Sequence, residues 1–116
     1  MSCLGKLTIN DPHEGTRMFT ITAIIRAKKG HEAAMRRALL DLAEHVQANE
    51  PGTAAYFISQ DMSDSCVFTT YERFVDKVAM ERHNKSEAAA RFFGIAKTIL
   101  DDKPTIISAN EISTKS

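Results

Sequence analysis

The hydrophobic period of the chain switches repeatedly between that of a strand and that of a helix, and the order of the switches limits the fold to very few arrangements. Phe19-Thr20-Ile21-Thr22-Ala23-Ile24-Ile25 is β-branched and aromatic and reads as a strand, ended by Lys28-Lys29-Gly30. From His31 to Asn49, Met35, Leu39, Leu42 and Val46 fall at intervals of four, three and four, one stripe of an amphipathic helix. Glu32 suits the positive end of that helix, and Pro51-Gly52 stops it. A second strand spans about Ala54 to Gln60 and a third about Cys66 to Phe74. The polar turn Asp61–Ser65 joins them, so the pair reads as an antiparallel hairpin. Asp76 opens a short helical stretch that ends at His83. Ser86 then caps a helix carrying Ala89, Phe92, Phe93, Ala96, Ile99 and Leu100. Thr105–Ala109 is the last strand.

The order β-α-β-β-α-β is the split βαβ, or ferredoxin-like, arrangement: an α+β fold with a four-stranded antiparallel sheet and its helices on one face. Such a sheet should alternate apolar and polar residues if its other face meets water. These strands do not: Phe19, Ile21 and Ile25 oppose Ile24, and Phe57 opposes Tyr56 and Ile58. Something apolar covers the open face, and a second copy is the simplest candidate, because two-fold homodimers are the commonest oligomers.

The 116 residues suffice for one domain with its own core. Residues 1–17 contain Gly5, Asn10, Asp11, Pro12 and Gly15, lack periodicity and read as a flexible extension; 18–112 form the domain, and 113–116 a tail. Fifteen basic residues balance fifteen acidic ones, which argues against nucleic acid as a partner. No stretch is apolar enough to span a membrane, and the N-terminus has no secretory pattern, so the expected compartment is the cytoplasm. Cys3 and Cys66 read as free thiols.

Strong chemical motifs are absent. No phosphate-cradling glycine loop, CxxC pair or GxSxG elbow occurs, and Met35 stands where a zinc-binding HExxH would need its second His after His31-Glu32. No obligatory metal, flavin or haem is therefore expected. Of the four histidines, His13 lies in the extension, His31 at a helix start and His45 on a helix side expected to be exposed. His83 ends the short helix, a dozen residues after Glu72 at the end of an apolar strand. By position alone His83 reads first as a cation at a helix C-terminus, Tyr56 and Tyr71 as sheet aromatics, and Phe92 and Phe93 as core.

The run Tyr71-Glu72-Arg73-Phe74-Val75-Asp76-Lys77-Val78-Ala79, followed by His83, resembles the antibiotic biosynthesis monooxygenase (ABM) domain family of the dimeric α+β barrel superfamily. Glu50-Pro51-Gly52 and the opening strand leading into Lys29-Gly30 match further segments typical of that family, and the likeness extends over residues 18 to about 112. The resemblance implies a ferredoxin-like dimer whose two sheets meet as a barrel. Activities in the family range from cofactor-free oxygenation of quinols and polycyclic phenols to haem degradation and isomerisation of small phosphorylated metabolites. Haem-degrading members carry an Asn and a Trp where Ala23 and Glu81 stand here, and tricyclic-phenol oxygenases also use a Trp; this chain has none. The quinol-monooxygenase-like branch is the nearest. The resemblance thus implies a cofactor-independent monooxygenase acting on a small quinol-like or phenolic molecule. A non-oxidative isomerase, or a ligand-binding module without turnover, stands as the alternative. It implies His83 and Glu72 as the polar pair, in a cavity lined by Tyr56, Tyr71 and Phe93. One conflict is visible in advance: Tyr71 and Glu72 are neighbours on a strand and should point to opposite faces.

Overall fold

The computed structural model describes residues 18–115. The expected extension over 1–17, with His13 and Cys3, lies outside them. The elements are β1 (Phe19–Arg26), α1 (Glu32–Asn49), β2 (Thr53–Gln60), β3 (Val67–Phe74), α2 (Lys77–Asn84), α3 (Glu87–Ile99) and β4 (Thr105–Asn110). The strands form one antiparallel sheet in the order β2-β3-β1-β4, the ferredoxin-like topology expected from the element order. No helix among the described residues is long and apolar enough to cross a membrane.

Each helix is positioned by local chemistry. Gly30 adopts φ 89°, a left-handed conformation that costs glycine little, and its N–H donates to Glu32 Oε1 at 2.8 Å. That turn delivers the chain into α1, whose buried residues Met35, Leu39, Leu42 and Val46 form the stripe visible in the sequence, joined by Ala38. Asp76 Oδ1 accepts the Ala79 N–H at 2.7 Å and starts α2. Ser86 Oγ accepts the Ala89 N–H at 3.0 Å and starts α3. These caps satisfy helix donors that have no partner within the helix.

The register separates the two sheet faces. Ile58, Thr70, Ala23 and Ile106 are cross-strand neighbours in one row, and Tyr56, Glu72, Ile21 and Ser108 in the next. Both rows face the helices. Ala23, Ile25 and Phe68 pack there with Met35, Leu39, Leu42, Phe92 and Ala96 as the main core. On the opposite face Phe57, Tyr71, Thr22 and Ile107 form a row across all four strands, and Phe57, Tyr71 and Ile107 are exposed, as is Ile24 one row on. A register shift between Thr53 and Ala55, a bulge at the start of β2, sets Thr53 opposite Phe74 and Ala55 opposite Arg73.

Candidate active site

A cavity of about 230 Å³ lies between the sheet and the helices. Ile21, Ala23 and Ile25 form its floor, Leu39 and Leu42 come from α1, and Ala89, Phe92, Phe93 and Ala96 from α3. Its β4 side, with Ile106 and Ser108, stays exposed even though both residues face the helices, and this gives the cavity its mouth. Most of its polar groups cluster together: Thr70, Glu72 and His83, with Tyr56 and Asn84 beside them, while Ser108 lies on the β4 side.

His83 is held between two carboxylates. Its Nδ1 lies 2.8 Å from Glu50 Oε1, and its Nε2 lies 3.4 Å from Glu72 Oε1. All three side chains are more than nine-tenths buried: His83 at 6% exposure, Glu72 at 7% and Glu50 at 9%. Each carboxylate has a further partner, since Thr70 Oγ1 donates to Glu72 Oε2 at 2.7 Å and Thr53 Oγ1 to Glu50 Oε1 at 2.9 Å. The imidazole is tilted against Tyr56 and Phe74, each with ring centroids 5.4 Å away. Burial by itself would lower the pKa of His83, but hydrogen bonding and charge from Glu72 and Glu50 outweigh it and raise the pKa above the ordinary imidazole value. Burial, reinforced by the charges of Glu72 and Glu50, pushes the Tyr56 phenol above its ordinary range, so Tyr56 stays protonated.

The backbone explains how residues distant in sequence meet. His83 and Ala79 are the buried residues of α2, four apart on one face. Gly52 packs directly beneath that face, where a Cβ would come within 2.7 Å of Ala79 Cβ. Its carbonyl accepts the Val75 N–H at 2.9 Å. Glycine at 52 therefore lets the chain that leaves α1 pass close enough to α2 for Glu50 to reach His83.

Glu72, His83, Tyr56 and Phe93 are all brought to the cavity. Tyr71 is not, and its expected place there is corrected. It lies on the open face, where its hydroxyl is 3.3 Å from Glu111 Oε2, because strand alternation turns it away from Glu72. There Arg73 Nε and Nη2 each donate to Glu111 at 2.8 Å, and this pairing holds the Glu111 carboxyl down to about 2. Phe93 is half-exposed at the mouth rather than buried in the core, edge-on to Phe92. The sequence reading missed Glu50, which carried no signal beyond its place before Pro51-Gly52. It also put His45 on an exposed helix side. His45 is instead 29% exposed, with Nε2 3.8 Å from Glu50 Oε2. Among the described residues no group of three or more His, Cys, Asp or Glu side chains is arranged to hold a metal ion.

Comparison with known proteins places this architecture. No curated protein sequence matches the chain. Among solved structures, the PA3566 protein of Pseudomonas aeruginosa is similar at 29% identity and TM-score 0.78, covering 86% of this chain and 99% of its own. Rv0793 of Mycobacterium tuberculosis shares the fold at 14% identity and TM-score 0.79, covering 85% and 99%. A candidate antibiotic biosynthesis monooxygenase of Caulobacter crescentus shares it at 20% identity and TM-score 0.78, covering 84% and 92%. The sequence profile of the antibiotic biosynthesis monooxygenases matches residues 18–94, which include β1 through α2, both carboxylates and His83. The chain belongs to the antibiotic biosynthesis monooxygenase (ABM) family.

Proposed function

We propose that the protein is a cofactor-independent monooxygenase of a small quinol-like or phenolic molecule, with His83 as the base and Glu72 as its partner at the cavity. The observation that carries this reading is an imidazole, flanked by carboxylates, in a cavity whose described lining is mostly apolar. An apolar cavity of about 150 Å³ accepts a benzene ring, so about 230 Å³ suits one or two fused rings. Among the described residues no Lys or Arg lines the cavity, whereas the carboxylate of Glu72 does. A phosphorylated substrate would meet repulsion there, which favours a neutral phenol over a phosphorylated metabolite.

The chemistry needs little from the protein. Ground-state dioxygen is a triplet and reacts slowly with closed-shell molecules, but an ionised hydroquinone can donate one electron to it directly. His83 takes the phenolic proton, and Glu72 and Glu50 stabilise the resulting imidazolium. The apolar walls keep water from the radical pair. Recombination places one oxygen atom on a ring carbon in exchange for its hydrogen, and the second oxygen leaves as water. Hydroquinone and O₂ thus become hydroxyquinone and water, with all the electrons supplied by the substrate.

The same reading includes a homodimer formed through the open sheet face. Ile24, Phe57, Tyr71 and Ile107 make an apolar surface on a sheet face that no helix among the described residues covers, and an isologous partner would bury it. Oxygen consumption measured with a panel of hydroquinones tests the activity. Uptake above the autoxidation blank, lost in His83→Ala protein that still folds, is the expected result. Isomerisation without uptake, or tight binding without turnover, would replace the oxygenase with one of its rivals.

A further inference from the structure

The sheet register relates the polar groups on opposite sides of the cavity. Glu72 of β3, Ile21 of β1 and Ser108 of β4 are direct cross-strand neighbours in one row, and all three line the cavity. Ile21 is buried between the two polar residues, and buried Ala23 in the neighbouring row continues the same apolar floor. Phe92 and Phe93 of α3 line the cavity from the helix side. The space over Ile21 is thus an apolar slot, with Glu72 and His83 on its β3 side and the Ser108 hydroxyl on its β4 side. Neighbouring strands lie about 4.8 Å apart, so Glu72 and Ser108, two strands apart, are separated by roughly 10 Å at the backbone. A ring with oxygens on two opposite carbons, and a hydrogen bond of about 2.8 Å at each oxygen, needs a span of that order. Oxygens on adjacent carbons do not bridge it. Ser108 sits on the edge strand and is exposed, so its hydroxyl exchanges a water for a ligand oxygen at little cost.

We propose that Ser108 is a positioning residue, a second anchor for the ring on which His83 acts. It selects molecules with oxygens at opposite ends of the ring over those with one oxygen or two adjacent ones. The inference rests on the aromatic substrate proposed above and assigns its orientation. One oxygen meets His83 beside Glu72, the ring lies over Ile21 and Ala23, and the other oxygen meets Ser108 at the mouth. A hydroxyl suits that place because it both accepts and donates. A phenol oxygen donates its hydrogen to Ser108. A quinone oxygen, which has lost that hydrogen, accepts one from Ser108 instead, so the anchor holds the ring before and after oxidation.

The test is binding to the full chain without oxygen, followed by NMR titration with 1-naphthol, 1,2-dihydroxynaphthalene and 1,4-dihydroxynaphthalene. The 1,4 isomer is expected to bind about fivefold more tightly than 1-naphthol, the effect of ~1 kcal/mol for one neutral hydrogen bond. Ser108→Ala should remove that advantage and leave 1-naphthol and the 1,2 isomer within twofold of their parent values. Ser108→Thr, which keeps the hydroxyl, should retain the preference. An unchanged 1,4 preference in Ser108→Ala, or an equal loss for 1-naphthol, overturns the anchor. Failure of all three probes to bind would defeat the aromatic-substrate reading and the anchor together. Binding with the expected preference but without oxygen uptake in air would defeat the oxygenase reading alone. Oxygen uptake with no dependence of binding on Ser108 would defeat the anchor alone.

Discussion

Replacing Glu50 with Gln should destabilise the protein in a way that depends on pH, and the sign follows from His83. The imidazole is charged more readily in the folded state than in the unfolded one, because its pKa is raised by the two carboxylates despite burial. A group raised on folding contributes stability that is fully present below its unfolded value, about 6.5, and is lost as pH rises through the higher folded value. The Nδ1–Oε1 contact of 2.8 Å falls in the range of charge-assisted hydrogen bonds. Such bonds contribute roughly 1.5–3 kcal/mol, against about 1 kcal/mol for a neutral bond. Gln keeps an oxygen for the ring but removes the charge. The charge-linked loss is therefore about 1–2 kcal/mol at pH near 6 and fades once pH exceeds the folded value. A buried amide left facing His45 adds a cost that does not vary with pH. Urea midpoints at matched protein concentration and unchanged m-value, taken across that pH range, measure both parts. His45 also lies near Glu50, so the series is repeated in a His45→Gln background, where the trend should persist. A penalty that is flat with pH, or that grows as pH rises, would refute the charged Glu50–His83 pair.

Other consequences are simpler to check. Gly52→Ala forces a methyl to within 2.7 Å of Ala79 Cβ and should cost about 1–3 kcal/mol, read from the urea midpoint; a neutral result would mean that α2 is free to move. Asp76→Ala removes the cap accepted by the Ala79 N–H and should cost ~1 kcal/mol without changing the protein's association state. Phe57→Glu puts a charge on the open face at the β2 end of its row and should convert the proposed dimer into a folded monomer; a variant that sediments like the parent would rule out that face as the interface.

Most of the fold was legible because it is built from local periods. The stripe Met35, Leu39, Leu42, Val46 and the cap residues Asp76 and Ser86 are short-range signals, and each specifies its element without reference to the rest. Strand parity was equally local: with Glu72 facing in, Tyr71 had to face out, and no family pattern could bring both into one cavity. The exposed position of Phe93 was not local, since its helical spacing matches that of a core residue. Only the edge position of β4, which leaves one side of the cavity uncovered, turns Phe93 into a wall of the mouth.

The Glu50–His83–Glu72 cluster divides along the same line. The sequence by itself supplied a histidine at a helix end and a carboxylate at a strand end, and a family pattern that associates them. It could not show that Glu50, on the loop after α1, would lie 2.8 Å from a residue 33 positions away. That contact exists because β2 and β3 pair beside α2 and because Gly52 has no side chain to hold the loop off Ala79. Nor could sequence set the charge of the site, since a pKa depends on burial and on the distance to other charges. Both are properties of the packed molecule, and only the tertiary structure decides them.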